Sequence, residues 1–504
     1  MRNYLVIIFI ALCGILIYLP SISNNFIWDD HIIIEQNSSI RAPSILWIWT
    51  HPFLPPGFAQ EQNIYYRPMT IFSFWSLYKI FGESALFFRL FLLLSHFLAI
   101  LLVYKFSRKF LNFNAAIVAM ASFALNPVHT ESVCFPSAVS DILVAIFVLI
   151  AFIVYISKNK SGIFIAPSIW LFALFAKENA AVGIFAIMIY DILFRKELRF
   201  KDKIFRWSIW IIYSIIYFAL RINALGGFEI AGASLVPFWK RILFAPYFLV
   251  RYILNVFLPF DIKVLHPEVM LKMNYMLSFV GIIGVVILGI FIVYIIKKKD
   301  KISLFGFSWL IIFLLPVLGI ASLSNALWAD RFLYVPSIGA GLLFGLLWEK
   351  YGAKSPKSIP RLSKILLAGY FLFLMFSSII YAFDWRNDNI LFSRMTEDAP
   401  TRAIGFSGKS GIFATKNMPD SAYYYIEKAI ALEPNYLPAL IIMAQLQMQK
   451  ENLDSAKFYL DKAVTTYPNY VYCYSNLGIY WIYIGDTTLA TKYFIMAHRI
   501  APHD

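Results

Sequence analysis

Long apolar runs broken by short polar loops dominate this chain. A run of about 17–25 apolar residues can cross a bilayer as one helix. Such runs fall near 4–20, 86–104, 114–127, 138–156, 162–176, 179–194, 207–223, 275–296, 303–321, 335–349 and 365–383. A further apolar stretch, 241–258, carries Arg251 near its middle and Pro246 beside it. A centred arginine costs roughly 2.5–3.5 kcal/mol on insertion scales. That stretch therefore reads as an interfacial helix whose Arg241 and Arg251 snorkel to the headgroups. The pattern predicts an all-α, polytopic membrane bundle of about eleven spans over 1–383. The segment 69–81 reads as a helix lying along the outer leaflet, with Pro68 in its first turn.

The tail differs in kind. Prolines recur at 400, 434, 468 and 502, a period of 34. On that frame Ala422, Ala456 and Ala490 share one position, and Ala429, Ala463 and Ala497 another. Tyr474, Leu477, Gly478, Trp481 and Phe494 complete the last repeat. Small residues where two helices cross, large ones where they pack and proline at the turn make the tetratricopeptide pattern. A C-terminal TPR α-solenoid of about three repeats is predicted over 400–504, after a linker at 384–399.

Composition agrees. Of 504 residues 60% are hydrophobic and 14% charged, against roughly a quarter charged in soluble domains. The net charge of +15 does not point to nucleic acid. Its Lys and Arg gather in the loops on one side of the bundle, at 105–109, 195–206 and 297–301, as the positive-inside rule requires. That asymmetry predicts a cytoplasmic N-terminus, a retained first helix rather than a cleaved signal, and a tail on the outer face. Cys13, Cys134 and Cys473 are too few and too scattered for a disulfide framework or a zinc site.

The same topology carries five polar motifs to the outer face. Asp29-Asp30 follows the first span. Adjacent acids repel, so at least one needs a cation, a hydrogen bond or a shared proton. A carboxylate there can take the proton of an attacking hydroxyl or hold a divalent metal such as Mg or Mn; the plain alternative is a solvated loop start. Tyr66-Arg67-Pro68 opens the interfacial helix, where Arg67 could grip a phosphate or only anchor at headgroup depth. His129 and Glu131 follow Asn126-Pro127 at the outer boundary, and Asp141 lies just inside the next span. Ionisable residues at that depth are functional candidates, with Glu131 a catalytic candidate and His129 a metal ligand beside Asp29 and Asp30. Lys177-Glu178 joins two spans with almost no loop; the lysine suits a lipid-linked phosphate. Arg331 is a second phosphate candidate, with Asp330 its orienting partner. No Walker loop, GxGxxG, HExxH or GxSxG is present, so no nucleotide cofactor is expected.

In order, Trp28-Asp29-Asp30, Tyr66-Arg67-Pro68, Pro127-Val128-His129-Thr130-Glu131, Lys177-Glu178, Arg331-Phe332-Leu333-Tyr334-Val335-Pro336-Ser337 and then TPR repeats resemble the TMTC-type O-mannosyltransferases and their bacterial relatives, of the GT-C superfamily. The resemblance implies a GT-C-like body in a bacterial inner membrane and a polyprenyl-phosphate sugar donor. It also implies inverting transfer on the outer, periplasmic face to Ser or Thr of an exported polypeptide held by the repeats. Asp29 and Asp30 would be the base and any metal site. Two departures stand out: Ala138-Val139-Ser140-Asp141 lacks the basic residue often found before that acid, and Asn126 stands where His is common. Other acceptors, such as lipid A or a cell-wall glycan, and a non-enzymatic envelope scaffold are the competing expectations.

Overall fold

The computed structural model describes residues 2–54, 57, 65–157, 160–227, 237–267, 275–318, 328–352 and 359–501. The described residues form helices and turns, with no strand among them. Each predicted span corresponds to one helix. These are α1 (Arg2–Leu16), α4 (Ala85–Ser107), α5 (Phe113–Ala124), α7 (Val139–Ile156), α8 (Gly162–Ala176), α9 (Gly183–Phe194), α10 (Phe200–Leu225), α12 (Tyr275–Lys297), α13 (Lys301–Leu314), α14 (Pro336–Leu347) and α15 (Ile359–Phe383). Residues 319–321 of the ninth run lie outside the described residues. Between the spans run α2 (Ile45–Thr50), α3 (Pro68–Phe81), α6 (Thr130–Cys134) and α11 (Phe238–Phe257). Of the described helices, five are both at least 18 residues long and apolar enough to cross a membrane: α4, α7 with its preceding turn, α10, α12 and α15. The chain is a multi-pass membrane protein.

Burial separates centre from rim. The apolar window of α7 is 78% buried, whereas those of α12 and α15 are 11% and 17% buried. Small residues let the inner helices touch. A Cβ on Gly345 would lie 2.4 Å from the Ala115 carbonyl oxygen, and one on Gly339 would lie 2.6 Å from that of Gly306. Helices α5, α14 and α13 are thus joined backbone to backbone, a small-residue seam usual in membranes. Helix α11 buries Phe244, Phe248, Tyr252 and Val256, while Phe238, Trp239, Ile242 and Leu254 are exposed. Its Arg251 is not left in lipid: it pairs with Asp261 and lies over the rings of Trp328 and Tyr247.

The tail is a row of helices: α16 (Asp388–Asp398), α17 (Ala403–Thr415), α18 (Pro419–Leu432), α19 (Leu437–Gln449), α20 (Leu453–Thr466), α21 (Val471–Ile484) and α22 (Thr487–Ile500). Antiparallel pairs α17–α18, α19–α20 and α21–α22 follow the 34-residue period, and all six signature alanines are buried. Pro502 lies outside the described residues. The stretch read as a linker contains a helix instead. Asn387 caps α16 by accepting from the Ile390 N–H. Gly405 and Gly408 let α17 close on it, since a Cβ there would meet Thr396 and Phe392 within 3 Å. Its N-terminus meets the loop after α1.

Candidate active site

The loop from Asn24 to Glu35 is fixed from three sides. Arg89, a buried arginine in the first turns of α4, donates to the carbonyls of Asn24 (2.9 Å), Asn25 and Cys134 (2.8 Å). Asn24 donates to the Trp385 carbonyl at 3.2 Å. Asp388, at the start of α16, accepts the Trp28 N–H at 2.8 Å and bonds His31 Nε2 at 2.9 Å. Trp28 stacks on Phe135 with ring centroids 5.6 Å apart, yet its φ is +50°. The left-handed region costs a residue with a Cβ about 1–2 kcal/mol. A hydrogen bond to a charged acceptor contributes about 1.5–3 kcal/mol, which is the size needed to hold that turn.

The turn sends two adjacent carboxylates different ways. Asp30 is buried; its Oδ1 accepts from the Ser137 N–H (2.9 Å) and hydroxyl (2.5 Å), and its Oδ2 from the Ile27 N–H (3.2 Å). It ties the loop to the turn before α7 and is engaged on both oxygens. Asp29 is partly exposed, and among the described residues its carboxylate has no hydrogen-bond partner. Burial pushes the Asp29 carboxyl up to about 6; Arg331 pulls it down and Glu131 pushes it up further. Burial likewise moves Asp30 to about 7, against the pull of Ser137 and Arg89.

One ion pair stands beside Asp29, and two more follow from it in a cluster. Arg331 donates both its backbone N–H (2.9 Å) and its guanidinium to Glu131. Lys177 Nζ donates to both oxygens of Asp141 at 2.7 and 2.8 Å and lies over the Phe332 ring. Arg67 grips Glu178 through Nε (3.0 Å) and a terminal nitrogen (2.6 Å) and stacks on Tyr65. The pairs sense one another: Asp141 acts on Arg67 and Arg331, and Arg67 and Arg331 act on Lys177. Burial opposes the Arg331 charge, but Glu131, Asp141 and Asp29 outweigh it and keep the guanidinium charged. Side-chain exposure falls from 21% at Arg331 to 13% at Arg67 and 7% at Lys177. Arg331 is therefore the cation most open to an incoming anion.

One pairing differs from the sequence reading, and others go beyond it. Asp330 does not orient Arg331. Its carboxylate accepts from Asn255 (3.3 Å), the Lys263 N–H (3.0 Å) and bonds His266 (3.2 Å), so it ties the segment after α11 to this turn. Lys177 and Glu178 pair with Asp141 and Arg67 and not with each other. Asp141 thus takes its cation from Lys177, 36 residues along the chain. Tyr66 donates to the Trp49 carbonyl at 2.7 Å, a structural role beside Arg67. His129 is buried, 2.8 Å from the Ser337 hydroxyl and packed against Phe123 and Tyr334.

The proposed metal set of Asp29, Asp30 and His129 is not assembled. No cluster of three His, Cys, Asp or Glu side chains placed to hold a metal occurs among the described residues. With Asp30 held by Ser137 and Glu131 by Arg331, the donor set does not fit a divalent ion bound by protein ligands alone. Sequence reasoning missed Arg89, Ser137 and Asp388. Only Arg89 left a signal, a charge inside an apolar run.

No family model matches the chain. The protein O-mannosyl-transferase F38B6.6 of Caenorhabditis elegans is 26% identical over 458 residues, covering 86% of this chain and 63% of its own length. Protein O-mannosyl-transferase TMTC4 of Mus musculus is 25% identical, covering 78% and 62%. The human TMTC3 is 21% identical, covering 74% and 46%. This chain therefore spans less than two thirds of the length of these relatives. Among solved structures, that of ArnT from Cupriavidus metallidurans bound to undecaprenyl phosphate aligns with a TM-score of 0.45 at 11% identity, over 98% of this chain and 77% of that one. By sequence, the chain is a homologue of the proteins named protein O-mannosyl-transferase, of the TMTC type that its ordered motifs resemble.

Proposed function

We propose that the protein is an integral-membrane glycosyltransferase that moves a hexose, mannose in the first instance, from a polyprenyl-phosphate donor to Ser or Thr hydroxyls of exported polypeptides. The observation that carries this reading is Asp29: the acid of the cluster whose carboxylate is unengaged among the described residues, beside the most exposed of three clustered cations. Asp29 accepts the proton of the acceptor hydroxyl as its oxygen bonds to the sugar C1. The bond from C1 to the phosphate oxygen breaks, and its electron pair leaves with the polyprenyl phosphate. This is a single displacement, so the anomeric centre inverts. Negative charge grows on the leaving phosphate, where a fixed Arg331 helps most. Arg67 and Lys177 hold field in reserve and each keeps donor hydrogens its pair does not use. A carboxyl raised to about 6 is a stronger base than an ordinary aspartate yet still ionised at neutral pH.

On this reading the site faces the outer side of a bacterial inner membrane. Groove lipids reach it along α3 and α11, and the repeats hold the acceptor chain. The test is mass spectrometry of exported glycoproteins from cells carrying the intact gene, a deletion and Asp29→Asn. Loss of one Ser- or Thr-linked hexose in both altered strains supports the reading and identifies the sugar. Unchanged protein glycans with altered lipid or wall glycans move the acceptor, and no change in any glycan rejects the transferase.

A further inference from the structure

We propose that Asp388, on the helix that opens the tail, is the positioning residue that aims Asp29 at the reacting hydroxyl; the inference rests on the transferase reading above. Asp388 holds Trp28 and His31 with separate oxygens, at 2.8 and 2.9 Å. These residues flank the two acids. The loop between them can therefore neither slide nor turn without breaking one bond. Trp28 at φ +50° is a conformation that residues with a side chain rarely adopt, and strain of this kind persists only where surrounding contacts over-determine it. Here those contacts are Asp388 below and Phe135 on the ring face. Relaxing Trp28 to an ordinary φ would swing the next residue, Asp29, away from Arg331. Asp30 would remain tied to Ser137. The chemistry thus depends on a residue 360 positions along the chain that touches neither sugar nor phosphate.

The rest of the tail reinforces this contact. The Val471 N–H donates to the Gly57 carbonyl at 3.0 Å, Tyr472 bonds Gln36, and Ile32 and Leu54 pack with Val471, Ala497 and Ile500. The brace is thus part of a broad seam rather than a lone link, so removing it should leave the tail docked.

The test uses the full chain in detergent with a polyprenyl-phosphate mannose donor and a Ser/Thr peptide. Asp388→Ala removes both bonds. Asp388→Asn keeps an oxygen for the Trp28 N–H and an amide for a neutral His31. The alanine variant is expected to lower kcat at least about tenfold while the donor KM stays within about twofold, because an interaction that orients the base acts on the transition state alone. The asparagine variant is expected to recover kcat to within about threefold of the parent. Hydrogen exchange of residues 26–33 supplies a readout independent of transfer. Exchange should quicken in Asp388→Ala and stay slow in Asp388→Asn. Equal kcat in the alanine variant and the parent overturns the proposal, as does an asparagine variant no better than alanine or unchanged exchange in both. Should the parent itself transfer no sugar, the transferase reading fails, and the exchange result still decides whether Asp388 sets the loop.

Discussion

Two neighbouring aspartates have different fates: Asp30 is engaged on both oxygens, and Asp29 has no hydrogen-bond partner among the described residues. On the proposed function Asp29→Asn removes a general base worth about 10²–10⁴ in rate, so it is expected to abolish measurable transfer with the fold intact. Asp30→Ala leaves the Ser137 and Ile27 donors unsatisfied at about 1–3 kcal/mol, so its signature is a lower Tm. An active Asp29→Asn protein beside a folded but inactive Asp30→Asn protein would reverse the assignment. The raised Asp29 carboxyl also sets two pH dependences. Transfer should fall as pH drops through about 6, where the base becomes protonated. Stability runs the other way: the folded state holds a proton that the unfolded state has released between pH 3.8 and about 6, so ionisation of Asp29 weakens the fold as pH rises through that window. Asp29→Asn should therefore melt higher than the parent at pH 8, and the gap should close near pH 4. None of this division of labour was legible in the sequence. The order Trp28-Asp29-Asp30 places both acids at the loop start and says nothing of φ at Trp28 or of Ser137.

Helices were legible and their pairings were not. Apolar run length fixes where a span lies, because lipid satisfies no backbone group and each span must complete its own hydrogen bonds. The prolines and alanines of the tail predict a 34-residue period, and its helices fall in the pairs α17–α18, α19–α20 and α21–α22. What misled was adjacency. At Asp330-Arg331 neighbouring side chains leave a tight turn in different directions, so Arg331 pairs with Glu131 on α6 and Asp330 with the segment after α11. Lys177→Ala would strand Asp141 in the protein interior at a cost of about 3–5 kcal/mol. The double variant Lys177→Ala/Asp141→Ala is expected to regain most of that stability in a thermal melt and none of the transfer rate. The stretch 384–399 read as a linker because it is polar. Asn387 and Asp388 at its head are cap residues, and the glycines that let α17 approach were visible but had no stated partner. The α16 contact carries its own titration. The hydrogen bond to Asp388 raises His31 to about 9 against burial, with Glu35 assisting. The sign here is that of a cation gaining partners: the stabilisation is full below pH 6.5 and is lost as pH rises towards about 9. Exchange in residues 26–36 should quicken over that interval in the parent and not in His31→Gln.

The whole molecule is a bundle whose inner helices touch backbone to backbone while α12 and α15 show apolar flanks outward, and whose tail closes over the first loop. A chain ended after Phe383 is expected to insert and to show no transfer; full activity in it would detach the tail from the chemistry. The contact between loop and tail also has a consequence in time. His31 and Asp388 are 357 residues apart. At about 5–20 residues per second, synthesis of the intervening chain takes on the order of 20–70 s. For that interval the acidic loop exists beside its membrane helices without the bond that sets it. If Asp388 sets the loop as proposed, the nascent bundle is expected to show no transfer until α16 has emerged, and a chain that stalls before residue 388 is expected to insert without gaining activity.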